Sequence, residues 1–297
     1  MSHSAVEVEP GASRLSAQFT LGSLRVAALS DGAPDRALGG FFHGVEAAQW
    51  TQALGITDPE APLPFNFGTF LVRDGQRTIL IDSGFGGLAR TMGIPGGGEL
   101  LARIEELGVR REEIDAVVHT HLHPDHCGTN VTDEGELTFP NAQIVLAQAE
   151  LDYWMSGQGA EAESQDRAAA AHRNILPYQA ADRVRTFDGE HEVSPGLTAV
   201  PTPGHTPGHT SFMLASGGQH LLITGDAAHH PVHFEHHDWI PAVDFDPAES
   251  TRSRGRLSAL AVERDALVTG GHFPILTLGR VRPTATGYAW EYVHRSE

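Results

Sequence analysis

Short apolar runs closed by Gly or Asp dominate the first third of the chain. FTLGSLRVAALSDG, FNFGTFLVRDG and RTILIDSG each predict strands. In LVRDGQRTILID the DG step between two β-rich runs predicts a hairpin. From Gly98 to Leu107 the period changes: Leu101, Ile104 and Leu107 share a helical face, and Gly108 follows as a stop. IDAVVHTH is then an apolar strand that runs directly into histidines. NAQIVLAQAELDYWM predicts a strand passing into a helix, and RAAAAHRNI a second helix. RVRTFDG, LTAVPTPGH, TSFMLAS, QHLLITGD and DALVTGGH predict short strands, with a helix starting at Asp246–Pro247 before the last of them. Two groups of strands, each followed by helices, predict an α/β protein with two facing sheets and helices outside. Strand order stays open at this point. No repeat or linker divides the chain, so the expectation is an N-terminal extension over 1–18, part of it ordered, and one domain over 19–297.

Composition narrows the chemistry. The chain has 297 residues, 40% of them apolar and 20% charged, which excludes a disordered protein; its 33 Gly and 18 Pro suit a loop-rich α/β fold. Acidic residues outnumber basic ones 38 to 20, for a net charge of −18, and every basic residue is Arg. Without Lys there is no Schiff-base chemistry, and without clustered positive charge neither nucleic acid nor an anionic membrane is an expected partner. Cys127 is the single Cys, so no intramolecular disulfide is expected. The opening MSHSAVEVEPGASRLS has no signal-peptide pattern and no run is long enough to span a membrane, so a cytoplasmic protein is expected. The unusual count is His, with 18 residues grouped rather than scattered.

His121 and His123 lie two apart at the end of the AVV strand, so extended geometry sends both imidazoles to one face. Past Pro124 the chain must turn, bringing Asp125 and His126 back nearby. Imidazole and carboxylate without thiolate suit zinc, with manganese, iron or cobalt as alternatives, in a catalytic site with open positions. The same design recurs three times: TPGHTPGH places His205 and His209, ITGD places Asp226 and TGGH places His272, each after an apolar run and small residues.

THLHPDHCG, TPGHTPGHTSF, ITGDA and GGH, in that order, make the chain resemble the metallo-β-lactamase-fold hydrolases from about residue 20 to its end. The resemblance implies an αββα sandwich and two divalent metal ions. His121, His123 and His205 would hold the first ion, Asp125, His126 and His272 the second, and Asp226 would bridge both. The β-lactamases of this fold lack that bridging Asp, which argues against β-lactam hydrolysis. LRVAALSDG, FPNAQIVLAQAELDYW and GGHFPILTLGRVRPTATGYAW are most similar to the methyl parathion hydrolase-like branch, with acyl-homoserine lactonases near by.

Two such ions activate a shared water as hydroxide and polarise a carbonyl or phosphoryl oxygen. Asp125, Asp226 and His229 are the candidate catalytic residues, with Asp226 receiving the nucleophile's proton. In lactonase relatives a Tyr three residues past the bridging Asp contacts the substrate oxygen; His229 stands there here, and an imidazolium can also supply a hydrogen bond. The competing reading of His229 to His237 is a lid loop with solvated histidines. Asp82 and His209 are expected beneath the ligands, and Trp154 and His230 at the substrate pocket. His119 reads as an ordinary strand histidine and Cys127 as a packing residue. Segments 34–64 and 229–247 carry no motif and are expected to set selectivity. The expected substrate is a small neutral lactone or carboxylic ester, and a homodimer is an open possibility. The alternatives are a phosphotriester hydrolase and, with a single iron, a persulfide dioxygenase. A nuclease is disfavoured by charge, and a scaffold by the complete ligand set.

Overall fold

The computed structural model describes residues 8–10, 16–37, 40–274 and 277–294; positions 1–7 and 11–15 of the expected extension lie outside them. In spatial order, one sheet contains Val8–Pro10, Ser16–Leu21, Leu24–Ser30, Gly68–Arg73, Thr78–Ile81, Ala116–Val118, Gln143–Ala147 and Val184–Phe187. Its neighbours are antiparallel as far as Thr78–Ile81 and parallel beyond. The other contains His191–Ser194, Leu197–Pro201, Thr210–Ser216, Gln219–Ile223, Leu267–Thr269, Leu278–Pro283 and Tyr288–His294. Only Gln219–Ile223 and Leu267–Thr269 pair in parallel there.

Successive side chains of a strand point to opposite faces. Phe70 and Val72 therefore meet the opposing sheet while Leu71 meets the helices outside. Ile79 and Ile81 divide from Leu80 in the same way, and Leu221 and Ile223 from Leu222. Covered on both faces, these strands read as unbroken apolar runs rather than as alternations. Leu100, Ile104, Ile175 and Tyr178 cover the first sheet from helices Leu100–Glu106 and Gln165–Ala180. Leu257 and Ala261 of helix Pro247–Glu263 cover the second. The layers are those of an αββα sandwich, as the resemblance implies. No helix among the described residues is long and apolar enough to cross a membrane.

Register decides where the site forms. Ile81 pairs with Val118 and Ile223 with Thr269, so two exits lie side by side in each sheet. Every segment carrying a candidate ligand leaves its strand at this rim. Sequence pattern missed the hairpin of Leu278–Pro283 and Tyr288–His294 because its strands are charged, with Arg282 Nε 2.5 Å from Glu291 Oε2 across it. It also missed the ribbons Asp35–Ala37 with Pro62–Pro64 and Phe42–His43 with Ile240–Pro241, each only two or three residues long.

Candidate metal centre

The structure gathers all seven candidate ligands at the rim. His121 Nε2 and His205 Nε2 each lie 3.0 Å from His123 Nδ1. Beside them, His272 Nε2 and His126 Nε2 lie 3.4 and 3.6 Å from Asp125 Oδ2. Asp226 stands between the groups, its Oδ2 3.3 Å from His205 and 3.1 Å from His272, its Oδ1 3.3 Å from His126. The local fold follows from Pro124, which opens a short helix with His123 as its cap and returns His126 beneath His121.

The remaining ring nitrogens show what this cluster can hold. His121 Nδ1 donates to Thr120 Oγ1, which donates on to Asp82. His123 Nε2 donates to Glu163 Oε2 at 2.7 Å, and His205 Nδ1 to Asp244 Oδ1 at 3.0 Å. His126 Nδ1 donates to Asp82 Oδ2 at 2.8 Å, and His272 Nδ1 to the Asn66 carbonyl at 2.7 Å. With those nitrogens engaged outward, the second ring nitrogen of each of the five imidazoles points inward. Two buried atoms of the cluster, His126 Nε2 and Asp226 Oδ1, have no hydrogen-bond partner. The donor set thus fits divalent cations held by imidazole and carboxylate, with each ring oriented by a second partner.

Burial holds the imidazole pKa of His121 well below its ordinary value and that of His205 down to about 4. Burial also opposes charge on His272 and His126, but the carboxylates of Asp226 and Asp125 outweigh it, raising His272 to about 9 and His126 well above the usual range. Asp226, for which burial alone would favour the neutral acid, is held ionised by His272, His126 and His229. Asp125 and Asp226 thus concentrate negative charge that favours a cation, here the protonated rings of His272 and His126.

A profile of the metallo-beta-lactamase superfamily matches residues 69–272. The chain belongs to this superfamily. Among curated relatives, an N-acyl homoserine lactonase of Bacillus cereus is 29% identical over 170 residues, covering 57% of this chain and 60% of that protein. The N-acyl homoserine lactonase AttM of Agrobacterium fabrum is 31% identical over 178 residues, covering 58% and 63%. The chain thus matches less than two thirds of the length of these relatives. Among solved structures, the hydrolase AbOPH of the beta lactamase superfamily superposes with a TM-score of 0.82 at 26% identity, covering 94% of this chain and 98% of that one. AidC, a dizinc quorum-quenching lactonase, shares the fold with a TM-score of 0.80 at 24% identity, covering 96% and 97%.

Beneath the ligands, this superfamily member packs a polar layer. Asp82, at a positive φ of 58°, accepts from the Thr120 amide and hydroxyl as well as from His126. His209 Nε2 accepts from the Asp226 amide at 2.9 Å, and its Nδ1 donates to Thr202. His119 is fully buried, its Nε2 bonded to Asn130 and its Nδ1 3.6 Å from Asp82, without a hydrogen bond to that carboxylate. Sequence reading missed Glu150, Glu163 and Asp244. Glu150 joins the Leu122 amide, Trp154 and Thr206, tying the loop of His121 and His123 to that of His205.

Above the ligands lies a cleft of about 210 Å³ walled by Phe41, Phe65, Phe67 and Phe85. Trp154, expected at the pocket, is instead fully buried in the helix-side core, edge-on behind His123 at 5.6 Å. His230 also lies outside the cleft lining; its Nδ1 accepts from the Val232 amide and caps the turn Pro231–Phe234. His229 does reach the site, 3.3 Å from Asp226 and stacked on His272, so it is not a solvated lid residue.

Asp31 holds the Phe85 wall by accepting from the Phe85, Gly98 and Leu100 amides. Burial pushes its pKa up to about 6 despite those bonds. Because this folded value exceeds the ordinary value of 3.8, its contribution to stability is complete below pH 4 and is lost as pH rises through about 6. Asp31→Asn, measured by urea unfolding across that window, should lack this part of the pH slope. An identical slope in both proteins would show that Asp31 does not titrate there.

Proposed function

We propose that this protein is a dinuclear metal-dependent hydrolase of lactones or carboxylic esters. The observation that carries this reading is the cluster of five inward imidazole nitrogens around Asp125 and Asp226, on the floor of an aromatic cleft. His121, His123 and His205 would hold one cation, Asp125, His126 and His272 the other, and Asp226 would be shared. When bound, two such ions, zinc first among the candidates, supply Lewis acidity toward a carbonyl oxygen and lower the pKa of water from about 15.7 toward about 7.

The chain's own residues do the rest. Asp226 Oδ1, buried and unpartnered, accepts the proton that the attacking water gives up. His229, whose Nδ1 is also buried without a partner, offers a hydrogen bond to the carbonyl or leaving oxygen. The phenylalanine walls exclude water and receive the carbon skeleton, strengthening every polar contact on the floor. No Ser or Cys nucleophile is required: Cys127 is fully buried, and burial raises its thiol pKa well above normal. The complete second set of Asp125, His126 and His272 favours two ions over the single iron of a persulfide dioxygenase.

Elemental analysis should find two transition-metal ions per chain, and chelation should abolish an activity that added metal restores. Full activity with one ion at saturating metal overturns the dinuclear reading. On that same preparation, kcat/KM for lactones and aryl esters should exceed that for phosphotriesters. A phosphotriester preference beyond about tenfold, a barrier difference of roughly 1.4 kcal/mol, reassigns the reaction.

A further inference from the structure

We infer that the substrate carries a carboxylate on the arm remote from its reacting carbonyl, and that Arg36 receives it. This rests on the hydrolase reading of the same cleft, and the test below separates the two.

Strand Asp35–Ala37 pairs with Pro62–Pro64, setting Arg36 opposite Leu63. The pairing continues as Phe65 and Phe67 donate their amides to the Pro34 and Gly32 carbonyls at 3.0 and 2.8 Å. Phe65 and Phe67, two residues apart, present their rings on one side of this ribbon. Arg36 crosses over both, its Cζ 5.1 and 5.4 Å from the ring centroids. The Phe65 ring in turn lies 4.4 Å from that of His272. Arg36 therefore lines the cleft as a solvent-exposed residue, one aromatic ring away from a candidate metal ligand.

A second guanidinium, that of Arg167, lines the same cleft. Its charge is already answered by Glu163, 2.6 Å from Nη1. Arg36 has no such answer: among the described residues no carboxylate lies within 4.0 Å and no protein group accepts from its N–H donors. Arg36 is solvent-exposed, so its N–H donors are open to an incoming acceptor. The rings attract the cation but offer its five N–H groups no in-plane acceptor. A carboxylate meets that fork with two charge-assisted bonds, roughly twice as strong as those to a neutral carbonyl. The expectation of an uncharged substrate came from the resemblance to lactonases and parathion hydrolases, and the net charge of −18 does not exclude a single carboxylate. Exposed charges farther away than about 8 Å are largely screened at physiological salt, whereas Arg36 acts in contact.

The test uses metal-loaded protein and three aryl esters of one chain length: mono-4-nitrophenyl suberate, the same ester with its free acid as a primary amide, and 4-nitrophenyl octanoate. The native protein should favour the acid over both neutral esters, and salt should weaken the preference. Arg36→Gln should lower the acid-to-octanoate ratio of kcat/KM at least tenfold, mainly through KM, and Arg36→Lys should restore part of it. An unchanged ratio in Arg36→Gln, or an equal fall for the amide-ended ester, overturns the inference. If no ester is hydrolysed, the hydrolase reading fails while Arg36 is still judged, by calorimetric binding of suberic acid monoamide. Binding at least tenfold weaker in Arg36→Gln supports the inference; equal or absent binding overturns it.

Discussion

Replacing Asp226 with Ala should reduce bound metal from two ions per chain to one or none and lower kcat by about 10³-fold or more, some 4 kcal/mol in barrier. Its carboxylate lies within 3.3 Å of His126, His205, His229 and His272, drawn from both ligand groups. Two cations held by the two ligand groups would repel one another, and a carboxylate shared between them would offset that repulsion. The Asp226 amide bonds His209, and this contact survives removal of the side chain, so the loss reports on the carboxylate rather than on the loop. Metal content and turnover measured on one preparation decide the matter. Both ions retained with near-native kcat would remove Asp226 from the bridging position.

Arg254→Met should cost about 3–5 kcal/mol of stability in urea unfolding, the penalty for breaking one side of a buried ion pair. Arg254 is 1% exposed, with Nε on the Ala227 carbonyl, Nη1 on those of His237 and Trp239, and Nη2 2.5 Å from Asp244 Oδ2. Asp244 in turn accepts from His205 Nδ1; burial favours its neutral acid, but His205 and Arg254 hold its pKa down to about 2. Without Arg254 that carboxylate is left buried beside His205 alone, and the His205 ring loses its fixed support. Metal affinity should therefore fall by about 10- to 100-fold. Adding Asp244→Leu should recover much of the stability, because the stranded charge is gone, while metal affinity stays low. A destabilisation under about 1 kcal/mol in the single variant would show that the pair does not hold the loop.

The ligand set was legible because its members announce themselves locally. His121, His123, Asp125 and His126 fall within six consecutive residues just past one apolar strand, and each remaining ligand follows an apolar run and a turn of small residues. The sandwich was legible for a related reason: runs such as GTFLVR and TILI are apolar on both faces, which only a layer on each side explains.

What supports and lines the site was not legible, because each residue's role is set by a partner distant in the chain. Asp244 means nothing until Arg254 and His205 meet it, and Glu163 reads as a helix-end acid until His123 reaches it. Trp154 has the composition of a pocket residue, yet its indole bonds Glu150 inside the core, and His119 looks apolar by position but faces Asp82. Residue type and local spacing determined which side chains could bind metal and which runs would form the two sheets. Strand register and long-range packing decided which ring nitrogens turn inward, which carboxylates orient the rings, and that Arg36, Phe65 and Phe67 form the cleft wall. The difference is physical: a strand end carries a ligand through local geometry, whereas a proton's position on a ring or a guanidinium without a partner exists only once distant segments are in contact.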